Sequence, residues 1–349
     1  MSVAEVNYGL TEYIPDAEKL EATWWRQISP GTNYWRCEVP AKHLPGQVLE
    51  LVPTDLVQNG DDYSIPRQAG AAIWPFSGNK TRGILMALQQ QQGVKVLLEV
   101  DDNYLIPAAI PEGSVSPWRD TDAETGGVDY HTLEMNRRIA GWVDGVICST
   151  QPLADAYSKV NPNVVVCPNS VDPDDWDPLD KPDDGILRIG WAASTSHHVD
   201  APLVRRALTW ASKQKDVEVW FLGKPPASWD FRFRNVPWTD DLAQYRRSLQ
   251  VIDVGVCAVI DSPWTRCKSA VKSFEYAMAG AFPIVSDLPP YDPYKGPTVR
   301  CSSAKDWERA LRWAVLHRDE IKGLAAEARD YVLANHQIRD SIGLWREAC

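Results

Sequence analysis

The sequence predicts an α/β protein of two doubly wound domains, each a parallel sheet with helices on both faces. Three observations lead there. Short apolar runs alternate with helix-period segments along the chain. Residues 94–100 (VKVLLEV) are apolar at nearly every position, as a strand covered on both faces must be. Midway, residues 168–184 carry Pro or Asp at nearly every turn and interrupt the alternation. The 349 residues suffice for two such domains.

Taken in order, residues 47–52 and 71–74 read as strands. Residues 80–91 read as a helix, rich in Leu, Met, Ala and Gln and stopped by Gly93. The Gln run 89–92 continues that pattern as its solvated end. Residues 130–142 and 152–159 read as helices, and 94–100, 145–149 and 163–167 as strands. Beyond the Pro/Asp stretch, strands are predicted at 187–192, 217–222, 252–259 and 282–285. Helices are predicted at 202–213, 240–250, 269–279, 304–316 and 321–333. The domains expected are 1–168 and 188–335, joined by a linker over 169–187 and followed by a segment 336–349.

Composition narrows the function. The formal charge is −11, and a hydrophobic share of 44% is that of a globular chain. No apolar run reaches the roughly 20 residues of a membrane span. The acidic start, broken by Pro15, does not read as a signal peptide. Seven cysteines without metal-type spacing read as reduced thiols in a cytoplasmic protein. Residues 1–168 hold 12 basic and 21 acidic side chains, 169–187 one and seven, and 188–349 hold 23 and 19. Duplex nucleic acid is therefore a poor partner for the first domain, while an anionic ligand suits the last.

In open α/β sheets ligands bind beyond the carboxyl ends of strands, which directs attention to residues 99–104, 192–200, 223–226 and 261–268. Lys268 and Ser269 would open a helix whose N-terminus suits a phosphate. Lys272 follows one turn later, and Glu275 lies near the same face, where a carboxylate could accept from ribose hydroxyls. A solvated Lys/Glu face explains the periodicity equally well. Among the 16 tryptophans, Trp24, Trp25, Trp35, Trp74, Trp118 and Trp264 fall in or near loops. Of these only Trp264, in the loop 261–268, is a candidate for stacking on a sugar. Trp142, Trp191, Trp210, Trp220, Trp307 and Trp313 read as core.

The run from Lys268 to Gly280 (KSAVKSFEYAMAG), followed by Pro283-Ile284-Val285-Ser286-Asp287, resembles the C-terminal signature of family 4-type glycosyltransferases of the GT-B fold, bacterial and phage members above all. Residues 144–172 (DGVICSTQPLADAYSKVNPNVVVCPNSVD) are similar to the stretch closing that family's first domain. Residues 188–200 (RIGWAASTSHHVD), Gly190 among them, are similar to the opening of its second. The resemblance implies two Rossmann-like domains facing across a cleft, and a C-terminal segment crossing back to the first. It implies a nucleotide-diphosphate sugar as co-substrate, no cofactor, no metal, and transfer to a hydroxyl of a protein or glycan with retained configuration.

By the same resemblance Glu275 matches the second Glu of the Glu-x7-Glu motif, which grips the ribose. The first Glu is replaced by Cys267. Ser194 and His197 stand in the donor-phosphate loop, where the family has glycines. Gly190, Ser194, His197, Trp264, Lys268, Ser269, Lys272 and Glu275 are the donor-binding set, with Lys268 and Lys272, sharing one helical face, also stabilising the departing diphosphate. Asp101 and Asp102 are expected to orient or deprotonate the acceptor. In isolation the same carboxylates also suit the metal site of a GT-A transferase. A non-catalytic sugar-nucleotide or glycan binder, or a transferase acting on modified DNA bases, are the alternatives.

Overall fold

The computed structural model describes residues 21–26, 30–44, 46–49, 70–76, 80–105, 120–121, 128–129 and 131–349. They form two compact units. The first contains the described residues up to Ser170 together with Ile338–Cys349, and the second contains Val171–Gln337. The acidic stretch 169–187 is thus divided, and most of it packs on the second unit. Arg246 donates to the Asp175 carbonyl (2.8 Å), Gln250 to the Asp177 carbonyl (3.2 Å), and Trp176 is buried.

In the first unit the strands are β1 (Ala22–Trp25), β2 (Gly46–Leu49), β3 (Ala71–Pro75), β4 (Lys95–Val100), β7 (Gly145–Cys148) and β8 (Val164–Val166). Two short strands, β5 (Asp120–Thr121) and β6 (Val128–Asp129), pair antiparallel apart from them. The sheet runs β2-β1-β3-β4-β7-β8, parallel throughout. Its helices are α1 (Pro30–Asn33), α2 (Val39–His43), α3 (Lys80–Gln91), α4 (His131–Trp142), α5 (Gln151–Tyr157) and, from the C-terminal segment, α11 (Ile338–Ala348). A five-residue π-helical segment, Tyr34–Glu38, joins α1 to α2. Thr150 caps α5, accepting from the Leu153 amide.

The second unit holds β9 (Leu187–Ala193), β10 (Val217–Gly223), β11 (Arg234–Val236), β12 (Val254–Cys257), β13 (Phe282–Ser286) and β14 (Val299–Cys301). Their order is β11-β10-β9-β12-β13-β14, again parallel. The helices are α6 (Ala201–Ala211), α7 (Leu242–Gln250), α8 (Val271–Met278), α9 (Ala304–Leu316) and α10 (Arg318–Asn335). One face of the sheet buries Ile189, Trp191, Phe221 and Ile284 against Val204, Leu208, Trp307 and Leu311 of α6 and α9. In this order the chain starts in the middle, at β9, and winds outward first through β10 and then through β12. The crevice between the carboxyl ends of β9 and β12 is therefore the switch point where such sheets bind ligands.

Several elements depart from the sequence expectation. β1 and the helical segment 30–43 lie where loops were expected. Their tryptophans are core: Trp24 is fully buried beside Trp345, and Trp25 stacks on Trp74 at 4.4 Å. Large indoles in a four-residue strand read as loop aromatics only when the partner across the sheet is unknown. Gln89 is buried rather than solvated and accepts from Trp74 Nε1 (2.6 Å), because an indole N–H in the core needs an acceptor. β11 and β14 carry no apolar alternation, being half-exposed sheet edges. Trp142, expected in the core, is 39% exposed. Residues 1–20, 50–52 and Trp118 lie outside the described residues.

Candidate functional site

In the second unit, the loops that follow β9 and β12 are tied to each other. Residues 195–200 form a 3₁₀ turn, entered by Ser194 in extended conformation, with the Ser194 and Ser196 hydroxyls 2.7 Å apart. At its end Asp200, buried, accepts from the Ile260 amide through Oδ1 (2.7 Å) and from His197 Nδ1 through Oδ2 (2.8 Å). His198 turns the other way and donates through Nε2 to the Lys224 carbonyl beyond β10 (2.7 Å). One carboxylate thus joins both loops of the switch point. Asp200 carries no signal of this in sequence, since its partner amide is 60 residues away.

Gly190 sits inside β9, where a Cβ would stand 2.7 Å from Ile252. It lets the strand and the segment before β12 approach.

The loop after β12 contains Trp264, a 3₁₀ turn at Thr265–Cys267, and Lys268 in extended conformation. The helix α8 starts only at Val271, so Lys268 and Ser269 precede it instead of opening it, and Lys268 does not share a helical face with Lys272. Thr265 explains the early turn: its hydroxyl donates to the Ile260 carbonyl (2.6 Å), folding the loop back on itself. Trp264 is buried, and Lys268 Nζ lies 5.1 Å from its ring centroid. A sugar could stack there only if Lys268 moved. Cys267, at the position of the missing motif Glu, is buried as well. Ala270, the residue before α8, has no side chain able to cap it, and the first amides of the helix carry the partial positive charge of a helix start.

Within α8, Lys272 Nζ donates to Glu275 Oε2 (2.8 Å) and to the Tyr245 hydroxyl (3.0 Å), and Tyr245 donates to the same Oε2 (2.8 Å). Tyr245 comes from α7 and was not singled out from sequence. Burial works against the Lys272 ammonium, but the Glu275 carboxylate more than offsets it and raises the pKa. Burial first, then the Glu275 charge, push the Tyr245 phenol well above its usual value. At neutral pH Lys272 is therefore charged and the Tyr245 phenol neutral. The positive charge expected from Lys272 is largely spent on Glu275.

Asp101 and Asp102 belong to the first unit, directly after β4, and both are half-buried. Their neighbour Tyr104 is buried and held neutral, by burial first and then by the charges of Asp102 and Asp101. Glu99 turns inward, where Arg36 donates to it from Nε (2.6 Å) and to the Cys167 carbonyl and Asn169 from Nη1 (2.7 and 2.9 Å). The guanidinium also lies 4.8 Å from the Trp345 ring. Glu99 therefore does not join Asp101 and Asp102 in one carboxylate group. Among the described residues no cluster of three or more His, Cys, Asp or Glu is arranged to hold a metal ion, and no helix is long and apolar enough to cross a membrane.

No protein-family model and no curated protein matches the sequence. Solved structures do. HepE of Anabaena in complex with UDP-glucose is similar at TM-score 0.61 and 10% identity, over 93% of this chain and 98% of that one. A glycosyltransferase from Rickettsia africae gives 0.60 and 12% over 94% and 98%. The sucrose-phosphate synthase of Thermosynechococcus elongatus gives 0.59 and 13% over 94% and 98%. At such identities the likeness is one of fold, and the chain has the two-domain α/β fold of the GT-B glycosyltransferases.

Proposed function

We propose that the protein is a glycosyltransferase that moves a sugar from a nucleoside-diphosphate donor to a hydroxyl of a protein or glycan. The observation that carries this reading is the construction of the β9/β12 switch point. Two loops joined by Asp200, the start of α8 and the Lys272–Glu275–Tyr245 group meet around it, in a fold shared with a protein solved with UDP-glucose. In this reading Ser194, His197, Lys268, Ser269 and the amides opening α8 receive the diphosphate, and Glu275 receives the ribose diol. Negative charge develops on the departing diphosphate, so donors fixed there lower the barrier most. Asp101 and Asp102 serve the acceptor. Transfer proceeds without a metal and with retention, as the sequence resemblance implies. Six buried thiols and a seventh half-buried one suit a reducing, cytoplasmic setting.

The test is a thermal-shift screen of the full chain against UDP-, GDP-, ADP- and dTDP-glucose, followed by transfer assays with EDTA present. A donor at a hundred times its Kd should add about 2.7 kcal/mol of stability. Glu275→Ala and Lys268→Ala should each remove most of the shift. A flat response to all four donors overturns the proposal. The buried Cys267 in place of a motif Glu favours one alternative, a sugar-nucleotide binder without turnover. Tight donor binding with neither transfer nor hydrolysis would select it.

A further inference from the structure

The sheet of the second unit is paired unevenly around its switch point. β9 pairs with β10 at seven positions, as far as Ala193 opposite Gly223. With β12 it pairs at only two, Ile189 opposite Val254 and Gly190 opposite Gly255. β12 meanwhile stays paired with β13 through Cys257. Beyond Gly190 the missing rung is filled by a side chain. The Tyr276 hydroxyl accepts from the Ala192 amide (2.7 Å) and donates to the Gly190 carbonyl (3.1 Å), two groups on the edge of β9 that faces β12. Its ring occupies the space over Gly255, where a Cβ would stand 2.1 Å from Tyr276 Cγ. The residue is fully buried, and burial holds its phenol neutral, so one hydroxyl can donate and accept at once.

We infer that Tyr276 is a positioning residue that sets the width of the donor crevice. Standing in for a rung, it ends the β9–β12 ladder early without leaving β9 unpaired. The two strands then part before their carboxyl ends, and the loops 194–200 and 258–268 leave the sheet on either side of a gap. Asp200 bridges them further out, at Ile260. Tyr276 directly follows Glu275 in α8, so the wedge and the carboxylate are fixed to one helical turn. A change at the wedge shifts Glu275 relative to the Ser194 loop. The ligand this gap suits is the nucleoside-diphosphate part of a donor, and in that respect the inference rests on the proposed function.

The experiment compares Tyr276→Phe with Tyr294→Phe in the full chain. Tyr294 is another buried phenol of the same unit, whose hydroxyl donates to the Pro297 carbonyl (3.1 Å). Each variant loses a hydroxyl and should lower the thermal midpoint by a few degrees. Affinity for UDP and for UDP-, GDP-, ADP- and dTDP-glucose is then measured by calorimetry. Tyr276→Phe should weaken the best binder about tenfold, with Tyr294→Phe unchanged. Incorporation of para-aminophenylalanine at position 276 restores the donor to the Gly190 carbonyl but only a weak acceptor for the Ala192 amide, and should recover part of the loss. Should Tyr276→Phe fail to fold, that substituted chain carries the test: a loss of affinity of about threefold is then the expected result, and affinity equal to wild type overturns the inference. Equal affinity in Tyr276→Phe, or loss of affinity in both phenylalanine variants alike, overturns the inference while leaving the donor site standing. A wild-type protein that binds none of the five compounds overturns the donor reading, and the inference with it.

Discussion

Two side chains outside the expected donor set shape the second unit: Tyr245 holds Lys272 and Glu275, and Lys181 anchors the segment before β12. Tyr245 donates to Glu275 and accepts from Lys272, so Tyr245→Phe leaves each of them one hydrogen bond short. The expected cost is about 1–2 kcal/mol in urea unfolding, with the fold retained. Lys181 lies in the Pro/Asp stretch, donates to the Ile252 carbonyl and sits 3.7 Å from Asp253. Burial, opposed by Asp253, pushes its ammonium down from 10.5 to about 8. Between these values the unfolded chain binds a proton that the native chain has lost, so Lys181 makes stability rise with pH across that window. Below about 8 its penalty is present in full. Lys181→Met should flatten the rise, as read from urea midpoints on either side of the window. Neither residue was legible in the sequence. Tyr245 meets its partners only because α7 packs on α8, and a lysine among seven aspartates looks solvated until the chain is folded against β12. The meeting of Lys272 and Glu275, by contrast, was legible from their spacing on one helix. What that spacing did not reveal is that Lys272 neutralises Glu275 instead of reinforcing Lys268.

Among the elements, the buried parallel strands were the easiest to read, because a strand covered on both faces has little room for polar residues. Residues 94–100 and 282–285 follow that rule closely, whereas 217–222 alternate, with Glu218 and Trp220 half-exposed. The edges were harder. β11 and β14 bury one face at most, and three residues such as Arg-Asn-Val show no period. β1 was missed for the opposite reason: its Thr-Trp-Trp is so apolar and so short that only its neighbours β2 and β3 define it. The β9–β12 junction gives the sharpest element-level prediction. Gly255→Ala forces a methyl into the Tyr276 ring, and neither strand can retreat without losing its other neighbour. The substitution should cost about 3 kcal/mol in denaturant unfolding, the upper end for an overpacked core. Gly323→Ala in α10, with nothing within 4 Å, should cost nothing or stabilise slightly.

At the scale of the molecule, the division of charge along the sequence is rearranged by folding. The net +4 of residues 188–337 shares its unit with the net −6 of 171–187, leaving −2 over Val171–Gln337. Attraction for an anionic donor therefore depends on where Lys268 and the helix start are placed, not on the charge of the domain. The first unit depends on a segment remote in sequence. Trp345 of α11 is buried beside Trp24, Ser341 and Ser170 share a hydrogen bond (2.7 Å), and Lys95 donates to the Ala348 carbonyl (2.6 Å). Trp345→Ala should destabilise this unit by about 3–5 kcal/mol. In calorimetry the transition of the first unit should move down, and that of the second should stay.

This return of the chain also fixes an order of assembly. Synthesis runs from the amino end, so Trp24 is made early, yet residue 345 follows only after all of Val171–Gln337 has been translated. The unit begun first is completed last. Until then its sheet lacks the indole that closes it, while the second unit already has every residue it needs to fold.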